Sequence, residues 1–152
     1  QDDAVATLRE RLVPRAAVLT PNAPEAEVLS GLIIGNRVEA EAAAHALGDL
    51  GPQAVVVKGG HLPGDTVVDL LWNDGEIEAF ESPRIATTST HGTGCTLASA
   101  VAAGLAQGMG MIDAVTRARD YVHRAIETAP GLGHGHGPLN HAHAVTPFSV
   151  KK

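Results

Sequence analysis

The stretch Thr90-His91-Gly92-Thr93-Gly94-Cys95-Thr96 decides how this chain folds. It runs directly into the Ala-rich segment 97–105, whose apolar residues recur at helical spacing, so a helix is expected to begin at the motif. The glycines let the backbone turn so that successive N–H groups face outward, and the unpaired N–H groups and positive dipole end of a helix bind anions. The motif therefore predicts an anion site, with phosphate as the expected anion.

Cys95 falls in the first turn of that helix. The positive end of a helix activates a thiol placed there, which makes Cys95 a candidate proton acceptor. Two simpler interpretations stay open on this stretch alone. Gly-x-Gly before a helix is a common turn, and a lone cysteine in an Ala-rich helix is usually a small buried hydrophobic residue.

The composition indicates a folded domain that binds a small molecule. Of the 152 residues, 44% are hydrophobic and 18% are charged, which supports a core and argues against disorder. A formal net charge of -6, with no cluster of Lys or Arg, argues against nucleic acid as a partner. The single cysteine excludes an internal disulfide, and no apolar run approaches the ~20 residues of a membrane helix. We expect a cytoplasmic protein with no membrane partner.

The chain opens with a predicted helix over residues 2–13, in which Val5, Leu8 and Leu12 would line one face. Pro14 is expected to end it. Because the chain begins without Met and inside a helical pattern, we expect the polypeptide to have continued further towards its N-terminus.

Asn22 and Glu25 follow the short apolar run 16–20, which is typical of a buried strand. Open α/β sheets place ligands at the C-terminal ends of their strands, so Glu25 is a candidate carboxylate for Mg²⁺, held through water. The alternative is structural. Asn22 would cap the helix predicted over 25–32, and Glu25 would interact favourably with the helix dipole.

Lys58 ends a second strand, 54–57, whose three successive valines indicate a central parallel strand buried on both faces. We expect the amine of Lys58 to emerge at the same sheet edge as Asn22 and Glu25, where the two glycines that follow it leave room for a phosphate. The alternative is a lysine that only extends to solvent.

Two apolar, β-branched runs, 66–72 and 76–81, are joined by Asn73-Asp74-Gly75 and predict a β-hairpin at one sheet edge. Apolar residues at helical spacing predict further helices over 94–107 and 112–129. The alternation of strands and helices predicts an α/β fold with a mostly parallel sheet.

The tail 131–143 holds four of the eight histidines, as two His-x-His pairs. Neutral imidazoles bind Zn²⁺ or Ni²⁺, but this spacing matches no zinc motif. The neighbouring Gly and Pro residues favour a mobile loop instead.

Four motifs together resemble a known family. In chain order they are Thr20-Pro21-Asn22-Ala23-Pro24-Glu25, Val57-Lys58-Gly59-Gly60-His61, the Thr90–Thr96 stretch and Gly135-His136-Gly137-Pro138-Leu139-Asn140-His141. The set is similar to that of the hydroxymethylpyrimidine/phosphomethylpyrimidine kinases of thiamine biosynthesis, in the ribokinase superfamily. The match covers nearly the whole chain. Sugar kinases of the superfamily have Asp where Cys95 stands, so the combination is specific to this branch.

The resemblance implies a ribokinase-like αβα sandwich, with residues 1–152 as the C-terminal portion of one kinase domain whose N-terminal strands are missing. It implies ATP-dependent phosphorylation of 4-amino-5-hydroxymethyl-2-methylpyrimidine or its monophosphate, with ATP and Mg²⁺ as cofactors. We also expect a homodimer. The 152-residue chain alone is expected to be inactive or very weakly active, because the resemblance implies that the missing part carries most contacts to the pyrimidine.

The same resemblance assigns roles to individual residues. Gly92 to Cys95 would hold the transferring phosphoryl group, and Cys95 would be the base for the attacking oxygen. Lys58 would neutralise phosphate charge. The implied catalytic residues are Lys58, Gly92, Gly94 and Cys95, and the implied nucleotide-binding residues are Asn22, Glu25, Lys58 and Thr93, with Glu25 also serving Mg²⁺ through water.

Ser89 departs from the family pattern, because many relatives have Asn or Asp there, and this leaves open how the loop before the motif is tied down. Three other functions also stay open, and one of them is metal storage by the four histidines of the tail. A pyridoxal or pyridoxine kinase of the same superfamily would share the fold and the ATP half. A nucleotide-binding fragment without catalysis would share only the binding residues.

Overall fold

A break in the contacts between Arg84 and Ile85 divides this computed structural model into two units, and the structure describes residues 2–145. The described part of the first unit contains three α-helices and a three-stranded sheet. Its elements are α1 (Asp2–Thr7), α2 (Ala23–Ser30), α3 (Arg37–Gly48), β1 (Ala54–Val57), β2 (Thr66–Asn73) and β3 (Glu76–Pro83).

The sheet has the order β1-β2-β3, and both strand pairs are antiparallel. The predicted hairpin is confirmed, since β2 pairs with β3 from Thr66 opposite Pro83 to Asn73 opposite Glu76. The prediction of a mostly parallel sheet is wrong for the described residues. A parallel pair needs a crossover of about a dozen residues or more. The loop 58–65 that joins β1 to β2 is shorter than that, so the chain turns back on itself.

In the described part of the first unit, parallel pairing is limited to the segment 16–22, which lies beside β1. Two isolated bridges join Leu19 to Val55 and Asn22 to Lys58. The Leu19 N–H donates to the Ala54 carbonyl at 2.9 Å, and the Val56 N–H donates to the Leu19 carbonyl at 2.7 Å. The predicted strand 16–20 is therefore extended and paired with β1, but through isolated bridges rather than as a regular strand.

The core of the first unit lies between the sheet and α3. Val55, Val57 and Leu70 face α3, whose buried side is lined by alanines and Leu47. Small side chains let the helix approach the strands closely, while Val56 is buried on the other face of β1. The strand is buried on both faces, as its run of valines predicts.

The predicted first helix changes its winding after one and a half turns. It is α-helical to Thr7, π-helical over Leu8–Leu12 and 3₁₀-helical over Val13–Arg15. The 3.6-residue spacing that would place Leu8 and Leu12 with Val5 is therefore lost, and both leucines are exposed, at 38% and 61%. Only Val5 packs against the core, so the predicted common face is wrong.

The second unit is built on α4 (Thr93–Ala106) and α5 (Met111–Glu127), which pack against each other. Their predicted positions are confirmed to within two residues at each end. A short 3₁₀ helix, His141–Ala144, follows in the tail and contacts α5. Among residues 2–145, no helix combines the length and the apolar character that crossing a membrane requires.

Candidate functional site

Asn22 and Glu25 form a capping box at the N-terminus of α2. The Asn22 Oδ1 accepts from the Glu25 N–H at 2.8 Å, and the Glu25 Oε2 accepts from the Asn22 N–H at 2.8 Å. Two N–H groups that the helix leaves unpaired are thereby satisfied. Asn22 and Glu25 therefore do cap the helix, as the structural interpretation of this pair predicts. The capping box leaves the Glu25 carboxylate accessible, because its side chain is 58% exposed.

Lys58 lies beside this capping box. Its backbone N–H donates to the Pro21 carbonyl at 2.9 Å, and its Nζ lies 4.0 Å from the Glu25 Oε2. The Lys58 side chain is 19% exposed, so it follows the protein surface rather than extending freely into solvent. The structure thus brings Asn22, Glu25 and Lys58 together in the first unit.

The residues after Lys58 form a loop, 58–64, which we call the Lys58 loop. Its Gly59 N–H donates to the buried Oδ1 of Asp69 at 2.8 Å. On its outer side, the Arg84 guanidinium donates to the carbonyls of Gly60, Leu62 and Gly64 at 2.8, 2.5 and 2.6 Å. The sequence analysis did not identify Asp69 or Arg84 as residues that hold this loop. For Asp69, the sequence offered one signal, a single Asp inside the apolar run of β2.

The motif that begins at Thr90 forms a turn, 90–96, which we call the Gly92 turn. Gly92 caps α4 in the left-handed region, with φ 88° and ψ 0°, a conformation that side chains disfavour. The Thr96 N–H and Oγ1 both donate to the Gly92 carbonyl, at 2.9 and 2.8 Å. The N–H groups of Gly94 and Cys95 donate to no acceptor within residues 2–145, so the turn offers free amide donors.

The Cys95 thiol is free and exposed in the first turn of α4. The alternative of a small buried hydrophobic residue is therefore wrong. Thr93 stands next to Gly92 at the start of the helix, and its Oγ1 donates back to the Thr90 carbonyl at 3.1 Å. Gly92, Thr93, Gly94 and Cys95 thus lie together in the second unit.

The tail holds the loop that precedes the Gly92 turn. The Gly137 N–H donates to the Thr88 carbonyl at 3.1 Å, and the His91 N–H donates to the Gly137 carbonyl at 3.2 Å. Ser89 between them is buried, and a Cβ at Gly137 would lie 2.7 Å from its Oγ. Main-chain hydrogen bonds and a close contact at Ser89 therefore tie down this loop.

The last residues of the tail contact the rest of the second unit. The Asn140 N–H donates to the Ala125 carbonyl at 3.0 Å. The rings of His141 and His143 lie against Tyr121, with ring centres 6.4 and 4.5 Å from it. No group of three or more His, Cys, Asp or Glu side chains in the described part of the chain could hold a metal ion.

The second unit also contains an open pocket of about 660 Å³ that no motif in the sequence indicates. Segment 85–89, which leads into the Gly92 turn, forms one wall. Ile126 and Glu127 of α5, with Ala129 and Gly131, form the other. Its lining combines apolar side chains with the hydroxyls of Thr87 and Thr88.

Comparison with known proteins gives consistent matches over most of the chain. Residues 1–140 match the profile of a protein family described as phosphomethylpyrimidine kinase. The thiamine biosynthesis bifunctional protein ThiED of Geobacter sulfurreducens is 49% identical over 138 residues, which are 91% of this chain and 28% of that protein. The hydroxymethylpyrimidine/phosphomethylpyrimidine kinase of Bacillus subtilis is 44% identical over 142 residues, which are 93% of this chain and 52% of that protein.

A solved structure shares the fold. The ADP complex of Bacillus subtilis pyridoxal kinase superimposes with a TM-score of 0.88 at 37% identity, covering 92% of this chain and 55% of that one. The chain thus spans about half the length of both Bacillus subtilis relatives and about a quarter of the Geobacter protein.

Proposed function

Because this chain belongs to the phosphomethylpyrimidine kinase family, we propose that it takes part in ATP-dependent phosphorylation of 4-amino-5-hydroxymethyl-2-methylpyrimidine or its monophosphate, in thiamine biosynthesis. The observation that carries the proposal is the Gly92 turn. It combines free N–H groups on Gly94 and Cys95 with an exposed thiol on one helical turn. Such a turn can bind a phosphate and accept a proton, which are the two tasks of this reaction.

The proposed chemistry at the Gly92 turn is a single in-line phosphoryl transfer. The Cys95 sulfur takes the proton of the substrate hydroxyl, or of the phosphate group in the second step. The freed oxygen bonds to the γ-phosphorus, and the bond from that phosphorus to the β,γ-bridging oxygen breaks, releasing ADP. The amides of Gly94 and Cys95 stabilise the charge on the equatorial oxygens, and one such donor is worth about 10²–10³ in rate.

Lys58 and Glu25 have electrostatic roles in this proposal. The Lys58 ammonium neutralises charge on the ATP phosphates, and the Asn22 side chain holds the start of α2 in place beside it. The chemistry of the site fits Mg²⁺ held through water, since the exposed Glu25 carboxylate can accept hydrogen bonds from the water molecules that coordinate the ion. When bound, Mg²⁺ would neutralise phosphate charge.

A pyridoxal kinase activity is the second candidate. The similarity to the Bacillus subtilis pyridoxal kinase, at 37% identity and a TM-score of 0.88, favours it. Both reactions phosphorylate a hydroxymethyl group on a heteroaromatic ring, and both use the ATP-binding part of the same fold. A third possibility, nucleotide binding without transfer, shares only the binding residues.

The detailed fold, the cellular location and the oligomeric state are part of this proposal as well. A ribokinase-like αβα sandwich, with residues 1–152 as the C-terminal portion of one kinase domain, is consistent with the α/β fold. A cytoplasmic location is consistent with the use of ATP. The homodimer stays a prediction, which size-exclusion chromatography with light scattering tests.

The deciding experiment measures phosphoryl transfer by the polypeptide expressed from the complete gene. ATP is supplied with hydroxymethylpyrimidine, with its monophosphate and with pyridoxal in parallel. We expect both pyrimidines to be phosphorylated with a higher kcat/KM than pyridoxal. A preference for pyridoxal would establish the second candidate, and ATP binding without any product would establish the third.

A further inference from the structure

The Lys58 loop is held from both sides by side chains that no motif includes. Asp69 bonds its buried start, and Arg84 bonds the carbonyls of its exposed part. A loop that carries a phosphate-binding ammonium must keep that group in one place, because a displacement of about 1 Å can cost 10²-fold in rate. The side chains that fix this loop therefore affect how well Lys58 can bind phosphate.

Asp69 is a carboxylate in an apolar strand. It lies on β2 directly before Leu70, which pairs with Val57, so the register brings Asp69 alongside the end of β1. The residue is only 9% exposed. Burying a carboxylate is costly unless it is hydrogen-bonded, and the Gly59 N–H supplies a bond of 2.8 Å. An apolar residue would suit the strand better, so the carboxylate has a local purpose.

Arg84 acts on the same loop from the outside. Its Nε donates to the Gly64 carbonyl, its Nη1 to Gly60 and its Nη2 to Leu62. Its own backbone N–H donates to the Asp65 carbonyl at 2.7 Å. The planar guanidinium offers donors in a fixed geometry, so one side chain fixes three carbonyls at once. A lysine could not do this.

We propose that Asp69 and Arg84 are positioning residues that hold the Lys58 loop and thereby keep the Lys58 ammonium in place to bind ATP phosphate. The inference rests on the phosphate-binding role proposed for Lys58. Asp69 fixes the backbone immediately after Lys58, and Arg84 fixes the next turn of the loop. Both side chains bond the backbone of the loop, so both act on Lys58 through the position of that backbone.

The first test measures how firmly Lys58 is held, without any enzymatic reaction. The labelling rate of its amine by an acetylating reagent is followed by mass spectrometry, with Lys151 and Lys152 as internal references. Asp69→Ala and Arg84→Met should each speed Lys58 labelling roughly tenfold. The first leaves the Gly59 N–H without its acceptor, and the second leaves three loop carbonyls without their donor. Asp69→Ala should also speed hydrogen exchange at the Gly59 amide by a similar factor.

Matched variants separate a local effect from a general one. Asp69→Asn keeps an acceptor oxygen and should restore most of the slow labelling, while Arg84→Lys should not. Glu78→Ala removes an exposed carboxylate from the same hairpin and should leave the labelling rate unchanged. Arg84 is exposed, so Arg84→Met keeps the test decisive if Asp69→Ala fails to fold. Labelling of both variants at the rate of Glu78→Ala would overturn the proposal.

A double-mutant cycle then tests whether Asp69 acts through Lys58. Asp69→Ala should raise the KM for ATP roughly tenfold in the wild-type background. The same change should have no further effect in Lys58→Met, because the group that Asp69 positions is gone. An equal loss in both backgrounds would overturn the proposal in favour of a purely structural role. An absence of kinase activity in the wild type would count against the proposed function, and the labelling result would still decide the positioning role.

Discussion

The Lys58 loop and the Gly92 turn are held in place by different kinds of groups. Side chains hold the Lys58 loop, through the carboxylate of Asp69 and the guanidinium of Arg84. The tail holds the approach to the Gly92 turn mainly through main-chain groups, the N–H and the carbonyl of Gly137, with one side-chain contact of 3.3 Å between Thr90 Oγ1 and His136 Nδ1. Replacing Asp69 or Arg84 removes hydrogen bonds from the Lys58 loop. The two hydrogen bonds of Gly137 remain when a side chain is replaced, unless the backbone moves.

The difference follows from where each segment begins. The Lys58 loop leaves the end of a buried strand, where neighbouring strands can place polar side chains against it. The Gly92 turn begins a helix whose first N–H groups must stay free if they are to bind an anion. A side-chain cap there would occupy those donors, and Gly92 supplies none. Support for the turn must therefore come from the segment before it.

The largest expected effect is on the one side chain to which we assign chemistry in the Gly92 turn. Cys95→Ala should lower kcat by about 10²–10⁴, the usual contribution of a general base, and should change the KM for ATP little. Steady-state kinetics of the polypeptide from the complete gene provide the measurement. Ser99→Ala, at an exposed position on the same helix, is the control and should keep full activity. An unchanged kcat in Cys95→Ala would remove Cys95 from the role of base.

The next effect concerns the start of the Lys58 loop. A Cβ at Gly59 would lie 2.0 Å from the Val68 carbonyl oxygen, so Gly59→Ala must displace a strand backbone. We expect a loss of about 3 kcal/mol in the free energy of unfolding, measured by urea denaturation. Gly60→Ala is the matched control, because a Cβ there meets nothing within 4 Å. Equal stability of the two variants would show that the β2 backbone at Val68 can move aside at little cost in free energy.

Local signals predicted most of the fold. The hairpin and both long helices of the second unit follow from residue spacing and turn residues, which act over a few positions. The direction of the strands could not be predicted from these local signals. A run such as Val55-Val56-Val57 indicates burial on both faces but carries no information on the direction of its neighbour. The length of the loop that connects two strands decides that direction.

The candidate site was predictable where its residues are sequence neighbours. The Gly92 turn is one continuous motif, and the capping box joins Asn22 to Glu25 across three positions. The contacts of Asp69 with Gly59, and of Gly137 with the loop at Ser89, join residues that are far apart in sequence. Those contacts depend on tertiary packing, which periodicity does not encode.

A smaller effect is expected where the tail meets Ser89. Gly137→Ala would place a Cβ 2.7 Å from the Ser89 Oγ and 3.2 Å from the Leu132 carbonyl oxygen. We expect a loss of about 1.5 kcal/mol in the free energy of unfolding, less than at Gly59, because a hydroxyl can rotate away more easily than a backbone can move. Ser89→Ala combined with Gly137→Ala should recover part of the loss. A double variant no more stable than Gly137→Ala would show that the Leu132 carbonyl is the obstacle.

The smallest effect separates the two interpretations of Asn22. Asn22→Ala removes the cap of α2, and Asn36→Ala removes the equivalent cap of α3, where the Asn36 Oδ1 accepts from the Glu39 N–H at 3.1 Å. Each should lower the free energy of unfolding by about 1 kcal/mol in urea denaturation. If Asn22 also organises the nucleotide end of the site, only Asn22→Ala should raise the KM for ATP as well. Matching KM values in the two variants would reduce Asn22 to a helix cap and leave Lys58 and Glu25 as the nucleotide-binding residues of the first unit.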